Sequence, residues 1–250
     1  MKKIIVLIAL TLAFISCKET SKEVHDNKEV SEQVEVTEKP SENADWIMLF
    51  DGTSLENWRG YLQDDIYPEW TIEDGALAFT PGKEGHMDII TKDTFTNFIL
   101  SLEWKISEAG NSGIFFGVHE DESLGEPWKT GREIQVLDNE KHPDAKIGAG
   151  THTAAALYDL IAPPKDATKP VGEWNTCVIE VDHTANLAKV SLNDIELYTF
   201  PLSGKEWDDM VANSKFKDYP YGKYKTGHIS LQDHDDKVWY RNIKIKRLPD

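Results

Sequence analysis

Apolar and polar residues alternate along most of the chain that follows Trp46. The clearest run spans residues 98–107, FILSLEWKIS, in which every second residue is Phe, Leu, Trp or Ile. Side chains of a β-strand point alternately to its two faces, so this run predicts a strand with one buried face. By the same criterion we expect strands at residues 69–73, 76–80, 87–92, 112–118, 155–160, 173–181, 188–192, 195–200, 227–233 and 237–246.

Short turn sequences separate several of these strands. Asp74-Gly75 and Asn193-Asp194 each lie between two predicted strands, and both dipeptides suit the tight turn of a β-hairpin. One helix is predicted, over residues 205–216, because its apolar residues fall roughly on one stripe. Many short strands with a single late helix predict an all-β fold, an antiparallel sandwich.

Two strands carry unusual polar residues on the side opposite their apolar residues. Glu133 and Gln135 alternate with Ile134 and Val136, while Gln232 and His234 continue the polar side of the segment HISLQDH. If the two strands share a sheet, these four polar side chains line one concavity. Two solvated antiparallel strands are the simpler alternative, but Glu, Gln and His together are more typical of sugar or metal recognition.

The N-terminus has the pattern of a targeting segment. Lys2 and Lys3 precede an apolar run, residues 4–15, which is too short for a comfortable transmembrane helix and ends close to Cys17. The tetrad FISC resembles a bacterial lipoprotein signal, so residues 1–16 are predicted to be a signal peptide and Cys17 the lipidated first residue. An ordinary secretory signal with an incidental cysteine is the alternative.

Residues 17–45 are predicted to be a disordered tether, because residues 18–45 contain neither an aromatic residue nor a glycine. We therefore expect the protein to be lipid-anchored to the cell envelope, at the periplasmic face or the surface of the outer membrane. Residues 46–250 are long enough to form one domain with a substantial core.

Charge and cysteine content narrow the choice of partners. The formal net charge is −17, of which residues 46–250 carry −14. Such an excess of acids argues against a nucleic-acid partner and suits a neutral, hydroxyl-rich or cation-associated ligand. Cys177 alternates with apolar residues and is predicted to be buried. Asn111-Ser112-Gly113 is interpreted as a turn whose glycine allows backbone or ligand to approach closely.

Several ordered motifs resemble the 3-keto-disaccharide hydrolase family, which is abundant among lipoproteins of Bacteroidetes. The resemblance runs from about Trp46 to Leu248 and rests on WIMLFDGTSLENW, TKDTFTNFILSLEWKI, NSGIFFGV, EIQVLDNEKHPDAKIG, ALYDLI, KPVGEWNTCVIEV and HISLQDHDDKVWYRNIKIK. It implies a concanavalin A-like jelly-roll sandwich. It also implies cleavage of 3-keto-glycosides, by elimination, by hydration of the resulting 2-hydroxyglycal, or by both.

The resemblance also implies a set of site residues. The family's motif positions fall on Glu103, Glu133, Gln135, Asp138, Tyr158, Gln232 and His234. We expect His234 to be the catalytic base, because imidazole exchanges protons near neutral pH, with Glu133 as its acid partner or as a metal ligand. The others are expected to bind substrate hydroxyls. His152, which stands where relatives often carry an Asn-Arg pair, is expected to stabilise an enolate.

Two other functions remain open at this point. Glu133 to Asp138 also echoes the ExDxxE pattern of retaining β-glucanases, with Glu133 as nucleophile and Asp138 as acid, although Gln135 replaces the middle carboxylate. A non-catalytic carbohydrate-binding lectin is the second alternative, in which Trp58, Trp70 or Trp128 would stack on sugars. No cofactor is certain, but Glu133, Asp138 and Glu103 with nearby imidazoles make a divalent metal ion conceivable.

Overall fold

The protein folds as two antiparallel β-sheets packed face to face. The computed structural model describes residues 46–82 and 85–249. Its strands are β1 (Trp46–Phe50), β2 (Trp58–Gly60), β3 (Trp70–Glu73), β4 (Ala76–Phe79), β5 (Ile89–Thr91), β6 (Phe98–Ile106), β7 (Asn111–Val118), β8 (Arg132–Leu137), β9 (Asn175–Asp182), β10 (Leu187–Leu192), β11 (Ile195–Phe200), β12 (His228–Leu231) and β13 (Val238–Arg247). Helix α1 spans Lys205–Ala212, and short 3-10 turns occur at Pro127–Lys129, Pro143–Lys146 and Gly148–Gly150.

The strand order defines the sandwich. One sheet has eight strands in the order β11-β10-β9-β6-β13-β4-β3, with β1 also paired to β13, and the other has five in the order β2-β5-β12-β7-β8. All pairs are antiparallel. The predicted all-β, concanavalin A-like jelly-roll sandwich with one short late helix is confirmed.

The core lies between the two sheets, as alternation predicts. In β6 every second residue from Phe98 is buried and the intervening residues are partly exposed, so this strand has one face in the core and one near solvent. Every residue of β7 and β8 is buried instead. The five-stranded sheet is therefore covered on both faces, by the core on one side and by loops on the other.

Both predicted hairpin turns are present. Asp74 and Gly75 have φ values of 50° and 76°, and Asn193 and Asp194 have 50° and 63°. Two successive positive φ values define the turn whose twist matches that of the flanking strands. These turns join β3 to β4 and β10 to β11.

The strand predicted at residues 155–160 is wrong. Ala155 and Asp159 have φ values of 64° and 63°, which interrupt an extended backbone. The segment instead follows the free edge of β8, where Ala155 N donates to Gln135 O at 2.8 Å and Tyr158 N donates to Glu133 O at 3.1 Å. This irregular edge places Tyr158 beside Glu133.

Other boundaries differ by smaller amounts. The predicted helix ends at Ala212 rather than at residue 216, because Asn213 leaves the helical conformation and its N–H donates to Met210 O. Strands β1 and β2 are not signalled by alternation, and β1 is almost uniformly apolar. No helix within residues 46–82 and 85–249 is long and apolar enough to cross a membrane. The predicted signal peptide, Cys17 and the tether lie outside the described residues.

Candidate functional site

A cavity of about 430 Å³ opens on the face of the five-stranded sheet that points away from the core. Its lining residues are Gly85, His86, Asp88, Asn111, Glu126, Trp128, Glu133, Gln135, Tyr158, Lys215, Gln232, Asp233, His234 and Asp235. Five of these residues carry carboxyl groups, and Lys215 is the only lysine or arginine among them. The cavity is thus polar and predominantly acidic.

Neighbouring strands bring the four predicted polar residues together. β12 and β8 lie in one sheet with β7 between them, so the sequence-based expectation of a shared concavity is confirmed. Glu133 and Gln135 reach the cavity from β8, whereas Ile134 and Val136 point into the core. Gln232 and His234 reach it from the segment after β12.

Gly113 occupies the middle of the cavity floor, on β7. A Cβ at this position would lie 2.7 Å from Glu133 Oε1 and 3.2 Å from Gln232 Oε1. The predicted turn at Asn111-Ser112-Gly113 is wrong, since these residues begin β7, but the close approach expected of the glycine is confirmed. The missing side chain lets the Glu133 carboxyl and the Gln232 amide converge.

Glu133 is a buried acid of the cavity with a strongly raised pKa. Its side chain is buried, with 4% of the residue exposed. Burial raises the pKa of Glu133 to about 8, with a smaller raising effect from Asp144 and an opposing effect from Lys215. A carboxyl of this kind exchanges its proton close to neutral pH, which suits acid–base catalysis.

The two glutamines beside Glu133 hold unpaired polar atoms. Gln135 is 1% exposed and Gln232 is 8% exposed. Among the described residues, neither Nε2 nor Oε1 of Gln135, nor Oε1 of Gln232, has a hydrogen-bond partner. Leaving a buried polar group unpaired costs about 1–3 kcal/mol. The arrangement therefore favours a ligand that both donates and accepts hydrogen bonds, such as a polyhydroxylated one.

Aromatic rings and a lysine form one wall. Lys215 Nζ lies 4.1 Å from the ring centre of Tyr158 and 5.6 Å from that of Trp128. Tyr158 donates its hydroxyl to Asp144 Oδ2 at 2.9 Å. Burial, followed by this hydrogen bond, raises the pKa of Tyr158, so the phenol stays neutral. The apolar rings and polar tips of this wall match the mixed surface of a sugar.

His152 supports this wall from behind and does not line the cavity. Its ring stacks on Tyr158 with centres 4.3 Å apart, and its two nitrogens lie 3.3 Å from Asp144 Oδ1 and 3.2 Å from Asp159 Oδ1. Asp159 Oδ2 in turn accepts the backbone N–H of Lys215 at 2.8 Å. His152 is therefore not placed to contact a substrate in the cavity. It instead holds Tyr158 and, through Asp159, the backbone of Lys215 in position.

Two other expected substrate-binding residues also lie elsewhere. Glu103 is on the outer face of the eight-stranded sheet, where it pairs with Arg241 and Asn242. Asp138 follows β8, and its carboxylate accepts backbone N–H groups of Ala109, Glu140 and Lys141. Asp138 therefore orders a turn.

The carboxylates proposed to share a metal ion do not converge. Glu133 is in the cavity, whereas Asp138 and Glu103 are committed to the contacts described above. Among the described residues, no group of three or more His, Cys, Asp or Glu side chains is arranged to hold a metal ion. That ligand set is therefore wrong.

Of the three tryptophans considered as sugar platforms, only Trp128 lines the cavity. Trp58 and Trp70 are each 2% exposed and donate their indole N–H to Leu49 O and Met87 O. These two are core residues.

Sequence reasoning missed Asp88, Asp233 and Lys215. Asp88 lies within the strand predicted at residues 87–92 and Lys215 within the predicted helix, but neither stands in the two segments whose polar faces predicted the site; in the structure Asp88 precedes β5 and Lys215 follows α1. Asp233 stands inside the segment LQDH, between Gln232 and His234. Its side chain accepts the backbone N–H groups of Met87 and Asp235 and connects the two loops. Only the presence of Asp233 in that motif offered a signal.

Comparisons with known proteins agree with this geometry. A 3-keto-disaccharide hydrolase from Bacteroides thetaiotaomicron (strain VPI-5482) is 36% identical over 229 residues, covering 81% of this chain and 78% of that protein. A crystal structure of a proposed glycosyl hydrolase from Parabacteroides distasonis is 27% identical, with a TM-score of 0.74, covering 82% of this chain and 94% of that one. A second from the same organism is 26% identical, with a TM-score of 0.63, covering 81% and 99%.

The sequence model of one family matches residues 45–246, nearly all of the part of the chain that the structure describes. This match agrees with the resemblance noted in the motifs, and the relative from Bacteroides thetaiotaomicron supports it independently. The chain therefore belongs to the family of 3-keto-α-glucoside-1,2-lyase-like domains.

Proposed function

We propose that this protein cleaves 3-keto-glycosides at the glycosidic bond within the cavity of the five-stranded sheet. The observation that carries the proposal is the cavity floor, where buried Glu133 lies beside the unpaired amide of Gln135 and the unpaired Oε1 of Gln232. It combines a proton-exchanging carboxyl with donors and acceptors for sugar hydroxyls. The name of the 36% identical relative, 3-keto-disaccharide hydrolase, points to the same substrate class.

The ketone makes a simple reaction available. A carbonyl at C3 acidifies the hydrogen on C2, so a base removes that proton and the C1–oxygen bond breaks by β-elimination. Addition of water to the resulting 2-hydroxyglycal completes a net hydrolysis. Such a reaction requires a base, an acid for the leaving oxygen and a group that stabilises the enolate.

Within this proposal His234 takes the C2 proton and Glu133 protonates the leaving oxygen. His234 lies at the exposed rim, with Nε2 3.4 Å from Asn111 Nδ2, whereas Glu133 lies on the floor. In the hydration step the roles reverse, because ionised Glu133 activates water and protonated His234 returns a proton to C2. Both residues then regain their starting protonation states.

The remaining lining residues would hold the sugar. Gln135 and Gln232 would pair with ring hydroxyls, since their amides have no partner among the described residues. Trp128 and Tyr158 would contact the apolar faces of the rings. The acidic character of the cavity suits a neutral carbohydrate.

The decisive experiment offers the purified protein a 3-keto-disaccharide and the same disaccharide unoxidised. We expect only the ketone to be cleaved, with transient absorbance from the 2-hydroxyglycal ketone if elimination outruns hydration. His234→Ala should lower kcat by roughly 10²- to 10⁴-fold, as expected for loss of a general base. His119→Ala is the matched control, because that imidazole is exposed and lies outside the cavity.

Two outcomes would reject the proposal. Comparable cleavage of the unoxidised sugar, with a glycosylated Glu133, would establish retaining glucanase chemistry. The geometry does not favour that chemistry, since its expected acid, Asp138, does not line the cavity. Sugar binding without turnover of either substrate would indicate a lectin.

We also propose that a lipid on Cys17 holds the protein at the cell envelope, with residues 17–45 as the tether. The leader pattern in the sequence supports this proposal. Mass spectrometry of membrane-extracted protein should find an acylated N-terminal cysteine, and Cys17→Ser should remove it. Wild-type protein recovered with an unmodified Cys17 would contradict the proposal.

A further inference from the structure

Asp88 is a buried carboxyl in the cavity that has no assigned role. It stands directly before β5 and is 4% exposed. Its Oδ1 accepts the backbone N–H of Asp233 at 2.7 Å, and Asp233 Oδ2 accepts the backbone N–H of Met87 at 3.0 Å. This reciprocal pair of hydrogen bonds fixes the side chain. Among the described residues the hydrogen bonds engage Oδ1 of Asp88 and not Oδ2.

The surroundings of Asp88 favour its neutral form. The charged and titratable groups that face it are Asp233, Glu133, Glu126, Tyr61, Tyr67 and Tyr240. None of these is a cation; His86 and Lys215 line the same cavity, and Lys215 lowers the pKa of Glu133. Burial, with further contributions from the neighbouring carboxylates, raises the pKa of Asp88 well above its ordinary value. Burial without a cationic neighbour therefore favours the protonated form of this carboxyl.

The proposed reaction also needs a donor for the enolate oxygen. His152, expected to provide one, is held outside the cavity between Asp144 and Asp159. Lys215 is exposed, and its ammonium lies against the rings of Tyr158 and Trp128. The buried amide of Gln135 has no hydrogen bond within the described residues to orient it, whereas the Asp88 carboxyl is held in place by the backbone N–H of Asp233.

We propose that Asp88 is a third catalytic group, a neutral carboxylic acid whose Oδ2–H donates a hydrogen bond to the C3 oxygen as the enolate forms. The inference rests on the proposed function. A protonated carboxyl in an apolar site is a known solution to this problem, because it donates a strong hydrogen bond without adding charge. Asp88 before β5, Gln232 after β12 and Glu133 on β8 would then line one cavity, with Gly113 of β7 lying between Gln232 and Glu133.

The proposed step balances. His234 takes the C2 proton, the C2–H electron pair becomes the C2=C3 bond, and the carbonyl π pair moves onto the C3 oxygen. Asp88 keeps its proton and shares it as a hydrogen bond. The C3=O bond then re-forms, the C2=C3 pair shifts to C1=C2, and the C1–oxygen pair leaves with a proton from Glu133.

The test compares Asp88→Ala with wild type on 3-keto-glycosides that carry a methoxy or a 4-nitrophenoxy leaving group. Ala removes the donor, and Asp88→Asn is the reference that keeps both an oxygen to accept from Asp233 N and an N–H donor in place of Oδ2–H. For Asp88→Ala we expect kcat to fall by about 10²-fold, the usual loss for one oxyanion donor, and equally with both leaving groups. The primary isotope effect of C2-deuterated substrate on kcat should rise, because enolate formation becomes limiting.

Two variants serve as references. Glu133→Gln should lose activity mainly with methoxy, since 4-nitrophenoxide leaves without an acid. Asp93→Asn, an exposed acid after β5 that pairs with Arg247, should behave as wild type. Asp88→Asn provides a second measurement if Asp88→Ala fails to fold. Because an amide N–H is a weaker donor than a carboxylic acid, we expect a loss of about tenfold with the same rise in the isotope effect.

The outcomes are distinguishable. A kcat within about threefold of wild type for the Asp88 variants would overturn the inference. A loss of kcat that disappears with the 4-nitrophenoxy leaving group would also overturn it. So would a loss of kcat that is not accompanied by a larger isotope effect. If wild type turns over neither 3-keto-glycoside, the proposed function fails first and the inference falls with it. The activity of wild type alone therefore tests the proposed function, and the Asp88 variants test the inference.

Discussion

The two sheets differ in how they treat the polar side chains on their outward faces. On the eight-stranded sheet, Glu103 accepts from Arg241 Nε at 2.8 Å and from Asn242 Nδ2 at 2.6 Å. Glu73 likewise accepts from Lys237 Nζ at 2.9 Å and from Trp239 Nε1 at 3.1 Å. Both of these acids have a cationic partner and remain partly exposed, so the charge of each is neutralised locally.

On the five-stranded sheet the corresponding face is buried and its polar atoms remain unpaired. Glu133, Gln135 and Gln232 are each less than 9% exposed, and both amide atoms of Gln135 and Oε1 of Gln232 lack partners among the described residues. Both faces arise from the same alternation along a strand. The difference shows that a functional face is identified by burial without partners, because such burial costs free energy that a purely structural face would avoid.

The largest expected effect concerns the pH dependence of stability. Glu133 has a pKa of about 8 when folded and an ordinary value of 4.5. The folded protein therefore binds more protons than the unfolded one, and this group lowers the stability progressively as the pH rises from about 4.5 to about 8. In Glu133→Gln the side chain cannot ionise. Between pH 4.5 and 9 the unfolding free energy of wild type should fall by roughly 2–5 kcal/mol relative to the variant.

Urea unfolding at several pH values measures this difference. Gly82→Ala is the control, because neither residue ionises and no neighbour beyond the adjoining residues lies within 3.7 Å of the added Cβ, so its difference from wild type should stay nearly constant with pH. A pH-independent gap between wild type and Glu133→Gln would mean that burial does not raise the pKa of the Glu133 carboxyl.

A smaller effect is expected from Gly113→Ala. The new Cβ would lie 2.7 Å from Glu133 Oε1, at the end of a flexible side chain that can move aside. Stability should therefore change by less than about 1 kcal/mol, while kcat falls by about 10²-fold because the carboxyl is displaced. Gly82→Ala is the control, since its nearest neighbour beyond the adjoining residues lies at 3.7 Å. Unchanged kcat in Gly113→Ala would contradict a catalytic position for Glu133.

Gln135→Leu should raise stability and weaken substrate binding. The substitution removes two buried, unpaired polar atoms from the cavity floor, so the unfolding free energy should increase by about 1–2 kcal/mol. KM for the 3-keto-glycoside should rise at the same time. Thermal unfolding and steady-state kinetics test both parts, and a destabilised variant with unchanged KM would show that Gln135 is a structural residue.

The smallest effect is expected from Glu103→Gln. The Glu103–Arg241 pair is partly exposed, and surface ion pairs contribute about 0.2–1 kcal/mol. Activity should stay within about twofold of wild type, because the side chain lies on the sheet opposite the cavity. A large loss of activity would restore the substrate-binding role that the family resemblance implies for Glu103.

Alternation along the strands was sufficient to predict the sandwich and part of the site. It placed Glu133 and Gln135 on one face of β8, because side-chain direction in a strand is a local property. It correctly grouped them with Gln232 and His234. It failed at residues 155–160, where positive φ values at Ala155 and Asp159 break the strand, because propensity does not reveal a backbone that follows an irregular edge.

Which residues meet in the cavity was decided by the tertiary structure. The sequence by itself determined the strands, their polar faces, the hairpin turns and the family. Periodicity cannot tell to which sheet a strand belongs, so Glu103 and Glu133 looked equivalent although only Glu133 reaches the cavity. Asp88 joins Glu133 through pairing across β5, β12, β7 and β8. The burial that makes both carboxyls unusual arises only when distant segments pack, because desolvation is a property of the folded environment.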